Sequence, residues 1–92
     1  MTEPASRERV LFVLAGNHAQ AEYHARDAGL KPSQWHYLFD ATPLLGTRKP
    51  RVWMVGHWSE HPGVAEIRRE MRARDAINMT VAMVQALDGE TR

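Results

Sequence analysis

The chain contains no cysteine among its 92 residues. Disulfide bonds and thiolate metal sites are therefore excluded, and the composition fits a reducing compartment. Long apolar runs are also missing, since the first one covers only residues 10–15. A run of that length is shorter than a signal-peptide core or a membrane span. We therefore expect a cytoplasmic protein without a membrane segment.

Neither sign of charge dominates the composition. The chain carries 12 lysine and arginine residues against 11 aspartate and glutamate residues, which gives a formal net charge of +1. A dedicated DNA-binding domain would be distinctly basic, so nucleic-acid binding is the weakest of the functions considered. The chain is 43% hydrophobic and can form a core, and its length suits one small domain. We predict a single domain over residues 9–88, with a flexible lead over 1–8 and a flexible tail over 89–92.

The glycine-rich fingerprints that hold nucleotides in α/β proteins are missing. A P-loop requires G-x-x-x-x-G-K-[ST] after the first strand, because its backbone amides and its lysine bind the phosphates. Residues 16–21 read GNHAQA instead, and residues 54–56 offer no acid for a magnesium ion. The dinucleotide pattern G-x-G-x-x-G is not matched either. We expect neither nucleotide hydrolysis nor another enzymatic activity, and no cofactor.

What the chain does contain is one pattern that occurs twice. Residues 10–15 form an apolar run that leads into Gly-Asn-His at 16–18, and residues 52–55 form another that leads into Gly-His-Trp at 56–58. A buried strand, a glycine turn and a helix in that order make up the βα unit of a parallel sheet. The pattern therefore predicts an α/β fold.

Periodicity and end signals predict where the elements lie. Asn17 is a good N-cap, Gln20 resembles the second half of a capping box, and Gly29 provides the left-handed residue that ends a helix. The predicted strands cover about 9–15, 35–39 and 51–55, the predicted helices cover about 18–28 and 62–74, and one helical turn is predicted at 43–45.

The segment 79–87 is ambiguous. Val81 and Val84 favour a fourth strand, and a βα unit normally returns to its sheet. The alternative is a helix that is capped by Asn78 and Gly89, since Met, Ala, Gln and Leu favour helices. We predict the strand.

Right-handed crossovers place these elements in a small Rossmann-like, three-layer domain. The predicted sheet is mainly parallel with about four strands in the order 2-1-3-4, and the two main helices cover opposite faces. One helix cannot cover a whole face of four strands, and parallel sheets are covered on both faces. The pattern therefore predicts a homodimer or a protein partner.

The turns after strands one and three would form a crevice at the carboxyl ends of neighbouring strands. Free N–H groups at the start of helix one would favour an anion such as phosphate, and a tryptophan could stack on a base. The alternative is that the two glycines only permit tight turns. The candidate ligand-binding residues are Gly16, Asn17, His18, Gly56, His57, Trp58 and Ser59.

The chain has 5 histidines. His57 and His61 lie four residues apart, and His18 could join them in a weak candidate metal site with three imidazole ligands. Pro62 places a helix start beside His61, so the pair need not share a helical face, and we expect no metal. Ser59 is close to His57, but no nucleophile elbow or clear acid completes a triad.

Basic residues cluster at 48–51 and 68–74. Aromatic residues do not interleave with them, and glutamates offset the second cluster, which is typical of a solvated helix face rather than a nucleic-acid surface. We take Arg68, Arg69 and Arg72 as candidate residues for contact with a protein partner.

Several segments between Tyr23 and Arg74 resemble a known group of proteins. They are residues 25–30 (ARDAGL), 35–37 (WHY), 44–46 (LLG), 55–58 (VGHW) and 66–67 (EI). Together they are similar to small Rossmann-like proteins encoded by phages of actinobacteria. The resemblance implies a phage origin and a role in the host cytoplasm, and it implies no catalytic residue. We therefore predict a non-enzymatic protein that binds a host or phage protein, with a nucleotide- or anion-binding module as the alternative.

Overall fold

A parallel sheet forms the middle layer of the fold. The computed structural model describes residues 10–90, and of residues 88–90 the backbone alone. The sheet order is β2-β1-β3-β4, which confirms the predicted α/β fold and the predicted order 2-1-3-4. The strands are β1 (Leu11–Leu14), β2 (Trp35–Tyr37), β3 (Arg51–Met54) and β4 (Ile77–Asn78).

Within residues 10–90, three α-helices pack on this sheet, whereas the sequence predicts two main helices. They are α1 (His18–Asp27), α2 (Val64–Ala73) and α3 (Val81–Glu90). The predicted helical turn near residue 44 is present as a 3₁₀ turn over Thr42–Leu44. The predicted lead over residues 1–8 lies outside the described residues, as do residues 91 and 92, whereas residues 89 and 90 belong to α3.

Strand β1 is the centre of the core because all four of its residues are buried. Leu11 and Val13 pack on the side of α1 and α3. Phe12 and Leu14 pack on the side of α2. A strand that is apolar on both faces suits the middle of a parallel sheet, where helices cover both sides.

Helix α1 begins and ends as its sequence predicts. The Asn17 side chain accepts a hydrogen bond from the Gln20 N–H at 2.9 Å, which caps the first turn. At the other end Gly29 has φ 84°, and the Leu30 N–H donates to the Ala25 carbonyl at 2.9 Å. The left-handed Gly29 and this bond belong to a Schellman motif, which satisfies free carbonyls at the end of the helix.

The prediction of a strand over residues 79–87 is wrong. The fourth strand is only Ile77–Asn78, and the following segment is helix α3. Thr80, rather than Asn78, caps this helix, since its Oγ1 accepts from the Met83 N–H at 3.2 Å. The helix forms because Val84 and Leu87 are buried at helical spacing on the α1 side of the sheet, where they complete its cover.

The cover of the two faces is therefore fuller than the sequence suggested. Helices α1 and α3 share one face, while α2 and the fully buried Leu44 of the Thr42–Leu44 turn cover the other. Within residues 10–90 no helix has both the length and the apolar character needed to cross a membrane.

Candidate functional site

The turns after β1 and β3 meet, as the sheet order predicts, but a side chain of the protein lies between them. The Gly16 N–H and the His57 N–H both donate to Gln20 Oε1, at 3.1 and 3.0 Å. Gln20 is therefore not the partner in a capping box with Asn17 that the spacing suggested. Its amide oxygen instead bridges two turns that are far apart in the sequence.

The close approach of the two turns explains why glycine occupies both position 16 and position 56. A Cβ atom on Gly16 would lie 2.9 Å from the His57 carbonyl oxygen, and one on Gly56 would lie 2.7 Å from Gln20 Oε1. Gly56 also has φ 56°, a conformation that side chains other than glycine adopt with strain. An anion bound to the same two N–H groups would have to take the place of the Gln20 oxygen.

The other predicted ligand-binding residues do not converge on this point. Asn17 caps α1, and His57 is exposed with its Nδ1 3.6 Å from the Glu60 carboxylate. The ring of Trp58 has the Arg68 guanidinium above it at 5.1 Å. Ser59 is exposed in the 3₁₀ turn Trp58–Glu60.

The three histidines considered as metal ligands lie apart. His61 is only 4% exposed, its Nε2 bonds to the Leu38 carbonyl at 2.7 Å, and its Nδ1 accepts from the Gly63 N–H at 2.8 Å. Both ring nitrogens are thus used inside the fold. The His18 ring packs instead against Trp35, Tyr37 and Phe39. Among the described residues, no three His, Asp or Glu side chains are placed to hold a metal ion.

A large groove lies beside the outer strand β2, and we call it the β2 groove. Its volume is about 870 Å³, and its walls lie on both faces of the sheet. The lining residues are Val10, Phe12, His18, Glu22, Arg26, Pro32, Trp35, His36, Tyr37, Phe39, Thr42, Pro43, Leu45, Gly46 and Thr47.

One wall of the β2 groove is aromatic. Trp35, Tyr37 and Phe39 alternate along the chain, so their side chains share the α1 face of the sheet. The His18 ring lies 6.0, 5.3 and 5.8 Å from these three rings, respectively, and it is stacked within 9° of parallel on Phe39. Burial raises the pKa of the Tyr37 phenol. Phe39, however, is 69% exposed, so the cluster is open to a ligand.

The opposite wall is apolar as well. Phe12 and Pro43 line it, and Leu45 is 53% exposed at its rim. The Glu22 and Arg26 side chains on the α1 side neutralise each other at 3.0 Å. Large exposed apolar side chains on both sides of one groove are typical of a surface that binds another molecule.

The edge of β2 between these walls is unpaired within residues 10–90, because β2 is the last strand in the sheet order. The Leu38 N–H donates to the Val13 carbonyl at 3.0 Å. In a parallel pair, alternate residues direct their N–H and C=O groups to opposite sides. The N–H and C=O groups of Tyr37 therefore point away from β1, into the β2 groove.

Of the predicted ligand-binding residues, only His18 belongs to the β2 groove. The residue pattern over 35–39 predicts an ordinary strand, and it does not identify the rest of the wall as a binding surface. A signal was present, since aromatic residues alternate with His36 in a strand that the predicted order 2-1-3-4 already places at the edge of the sheet.

The three candidate partner-binding arginines lie on α2, away from the β2 groove. Arg69 and Arg72 are exposed, and Arg68 is half-buried against Trp58. No carboxylate of the described residues forms an ion pair with any of the three.

No family model, no curated protein and no solved structure matches this chain.

Proposed function

We propose that this protein is a non-enzymatic interaction protein that binds an extended segment of another protein in the β2 groove. The observation that carries the proposal is the open edge of β2 between two apolar walls, with Phe39 and Leu45 exposed on either side. In keeping with the resemblance noted above, the protein originates from a phage, acts in the host cytoplasm, and has a host or phage protein as its partner.

The binding mode follows from the geometry of strands. An added segment would exchange main-chain hydrogen bonds with the outward N–H and C=O of Tyr37. Its side chains would alternate between the two faces. One set would contact the aromatic wall at His18 and Phe39, and the other would contact Phe12 and Leu45. Main-chain bonds would provide affinity, and the two walls would select apolar side chains.

A second copy of the chain is the competing occupant. Two β2 edges that pair across a two-fold axis would give one continuous sheet and the predicted homodimer. Sedimentation across a range of concentrations distinguishes the two cases, because only self-pairing makes the assembly state depend on the concentration of this chain alone.

The anion-binding alternative ranks lower. The Gln20 oxygen already accepts hydrogen bonds from Gly16 and His57, the two N–H groups that an anion at the crevice would need. DNA binding ranks lower still, because the net charge of +1 supplies little attraction to phosphates.

The proposal is tested by capture of proteins from an actinobacterial lysate with three forms of the protein. Phe39→Asp places a charge in the groove, whereas Tyr23→Asp alters a side chain that is 66% exposed on α1 outside the groove and serves as the matched control. We expect the wild type and the control to capture the same proteins, and Phe39→Asp to lose them. The Tyr37 amide should also become protected from hydrogen exchange in the complex.

Two results would contradict the proposal. Capture that is equal for Phe39→Asp and Tyr23→Asp would exclude the groove as the binding surface. Loss of capture by both variants, with both still folded by circular dichroism, would mean that added charge rather than the groove is responsible.

A further inference from the structure

The charges of α2 are separated between its two flanks. At 100° per residue, Arg68 and Arg72 lie on the flank toward β4, Arg69 lies on the solvent side, and Glu66 and Glu70 lie on the other flank. Glu70 is paired with the Arg74 side chain at 3.1 Å. The flank toward β4 therefore presents positive charge without a neighbouring glutamate.

The guanidinium groups of the candidate partner-binding arginines, Arg68, Arg69 and Arg72, form no ion pair within the described residues. Arg68 is held over the Trp58 ring at 5.1 Å, an arrangement that orients a planar guanidinium and limits its rotation. An oriented arginine loses less conformational entropy when it binds a carboxylate.

A small cleft opens beside these arginines, between α2 and the edge strand β4. Its volume is about 230 Å³, and Arg68, Arg72, Asp75 and Asn78 contribute its polar groups. Asp75 is engaged by Lys49 Nζ at 2.7 Å, and this hydrogen bond and the lysine charge lower the pKa of the Asp75 carboxyl. Lys49 thus offsets the charge of Asp75, and Arg68 and Arg72 make the cleft positive on balance.

The backbone beside the cleft offers a further donor. The Ile77 N–H donates to the Pro50 carbonyl at 2.7 Å, and the Met79 N–H donates to the Val52 carbonyl at 2.9 Å. Both bonds point toward β3, so the N–H and C=O of Asn78 between them point outward, away from the sheet. Asn78 is exposed.

We propose that this cleft is a second binding site, specific for an acidic segment of a protein, and independent of the β2 groove. The argument is charge complementarity, since each arginine can donate two hydrogen bonds to one carboxylate in a bidentate pair. Arg68 and Arg72 are one helical turn apart, about 5–6 Å between their Cβ atoms. Acidic side chains two residues apart on an extended segment are separated by about 6.6–6.8 Å, a comparable distance. The backbone of that segment would bond to Asn78.

Single-stranded nucleic acid fits the cleft less well. Such ligands need aromatic faces on which bases stack, in addition to a basic groove. Trp58 is in contact with Arg68, and the Arg68 guanidinium already covers one face of its ring.

The test is an NMR titration of the isotope-labelled full chain with a short peptide in which Glu and Gly alternate. A peptide with Gln in place of Glu and a single-stranded oligonucleotide are the comparison ligands. We expect the Glu peptide to shift the backbone amide signals of Arg68, Arg72 and Asn78 at low ionic strength, and the shifts to weaken at about 0.15 M salt. The Gln peptide should produce little change.

Variants separate a local site from overall charge. Arg68→Gln combined with Arg72→Gln should weaken binding of the Glu peptide about tenfold or more. Lys31→Gln combined with Arg48→Gln removes the same charge from exposed positions outside the cleft, and we expect it to bind like the wild type. Arg72→Glu, a single change at an exposed position, serves if the double variant does not fold.

Three outcomes would overturn the proposal: equal weakening by the two double variants, no shift at Asn78 with the Glu peptide, or tighter binding of the oligonucleotide than of the Glu peptide. Phe39→Asp, which alters the β2 groove, should leave binding of the Glu peptide unchanged. A failure at one site is therefore distinguishable from a failure at the other.

Discussion

Replacement of Gln20 tests how the two βα turns are held together. Gln20→Ala removes the oxygen that accepts from the Gly16 N–H at 3.1 Å and from the His57 N–H at 3.0 Å. A hydrogen bond contributes about 0.5–1.5 kcal/mol net, so the loss of two predicts about 1–3 kcal/mol. The Gly16 N–H is only partly accessible to water, but the His57 N–H is exposed and can be hydrated. We therefore expect the lower half of that range, about 1–2 kcal/mol.

Gln20→Glu is the informative companion variant. It keeps the length of the side chain and places a charged acceptor in the first turn of α1, where the helix dipole favours an anion by about 0.3–1 kcal/mol. We expect this variant to be at least as stable as the wild type at neutral pH. The two N–H groups should lower the pKa of the new carboxyl in the folded state. Its stabilising effect should therefore be present above the unfolded pKa and be lost as the pH falls through the folded pKa.

The measurement is urea unfolding, with the free energy of unfolding and the m-value compared among variants. Gln85→Ala is the matched control, because Gln85 is an exposed helical glutamine on α3, and a change there should stay within about 0.5 kcal/mol. If Gln20→Ala is as stable as Gln85→Ala, the hydrogen bonds to Gln20 Oε1 do not hold the turns after β1 and β3 together. If Gln20→Glu is less stable than Gln20→Ala at neutral pH, the assignment of the two N–H donors is wrong.

The same variant examines the anion-binding alternative. Gln20→Ala leaves two N–H groups beside the helix N-terminus without their acceptor, so phosphate should raise its melting temperature more than that of the wild type. A saturable rise in the wild type, abolished by His18 or His57 substitution, would instead support an anion site that displaces the Gln20 oxygen.

Three further changes probe the frame around the sites. Gly29→Ala should destabilise the folded state by about 1–2 kcal/mol. Backbone strain alone is responsible, since φ is 84° and an added Cβ meets no atom within 4 Å. A melting temperature equal to that of the wild type would contradict this expectation. His61→Ala should lower the free energy of unfolding by about 2–4 kcal/mol, because the change opens a cavity and removes the hydrogen-bond partner of the Leu38 carbonyl. A loss below about 1 kcal/mol in chemical unfolding would exclude this structural role of His61. The bond to Lys49 lowers the pKa of Asp75. The pair therefore stabilises the folded state above the unfolded pKa of Asp75, and this effect is lost as the pH falls through the folded pKa. In Asp75→Asn, that part of the acid dependence of the free energy of unfolding should disappear from a pH series of unfolding curves.

The fold could be predicted from the sequence wherever local signals and chain geometry agree. The apolar run of β1, the cap at Asn17 and the left-handed Gly29 each act within a few residues, and the structure confirms all three. The sheet order followed from the handedness of crossovers, which depends on the order of elements rather than on particular contacts.

The segment after α2 could not be predicted in this way, because valine, alanine and methionine in that segment suit both a strand and a helix. The tertiary structure resolves the ambiguity. Asp75 takes a left-handed conformation with φ 56° just after α2, and the chain returns to the sheet at once. The strand is complete at Asn78, and Val84 and Leu87 then cover a face of the sheet that α1 leaves open.

The candidate sites show the same division between what local sequence signals predict and what tertiary packing decides. By itself, the sequence determined that two glycine turns lie side by side at the carboxyl ends of β1 and β3, because strand order and parallel direction are enough to bring them together. Only the tertiary structure decided that Gln20 bridges those turns and that His18 joins the aromatic wall of the β2 groove. The physical reason is that a turn is specified by neighbouring residues, whereas the direction of a side chain depends on how its helix is rotated and packed against the sheet.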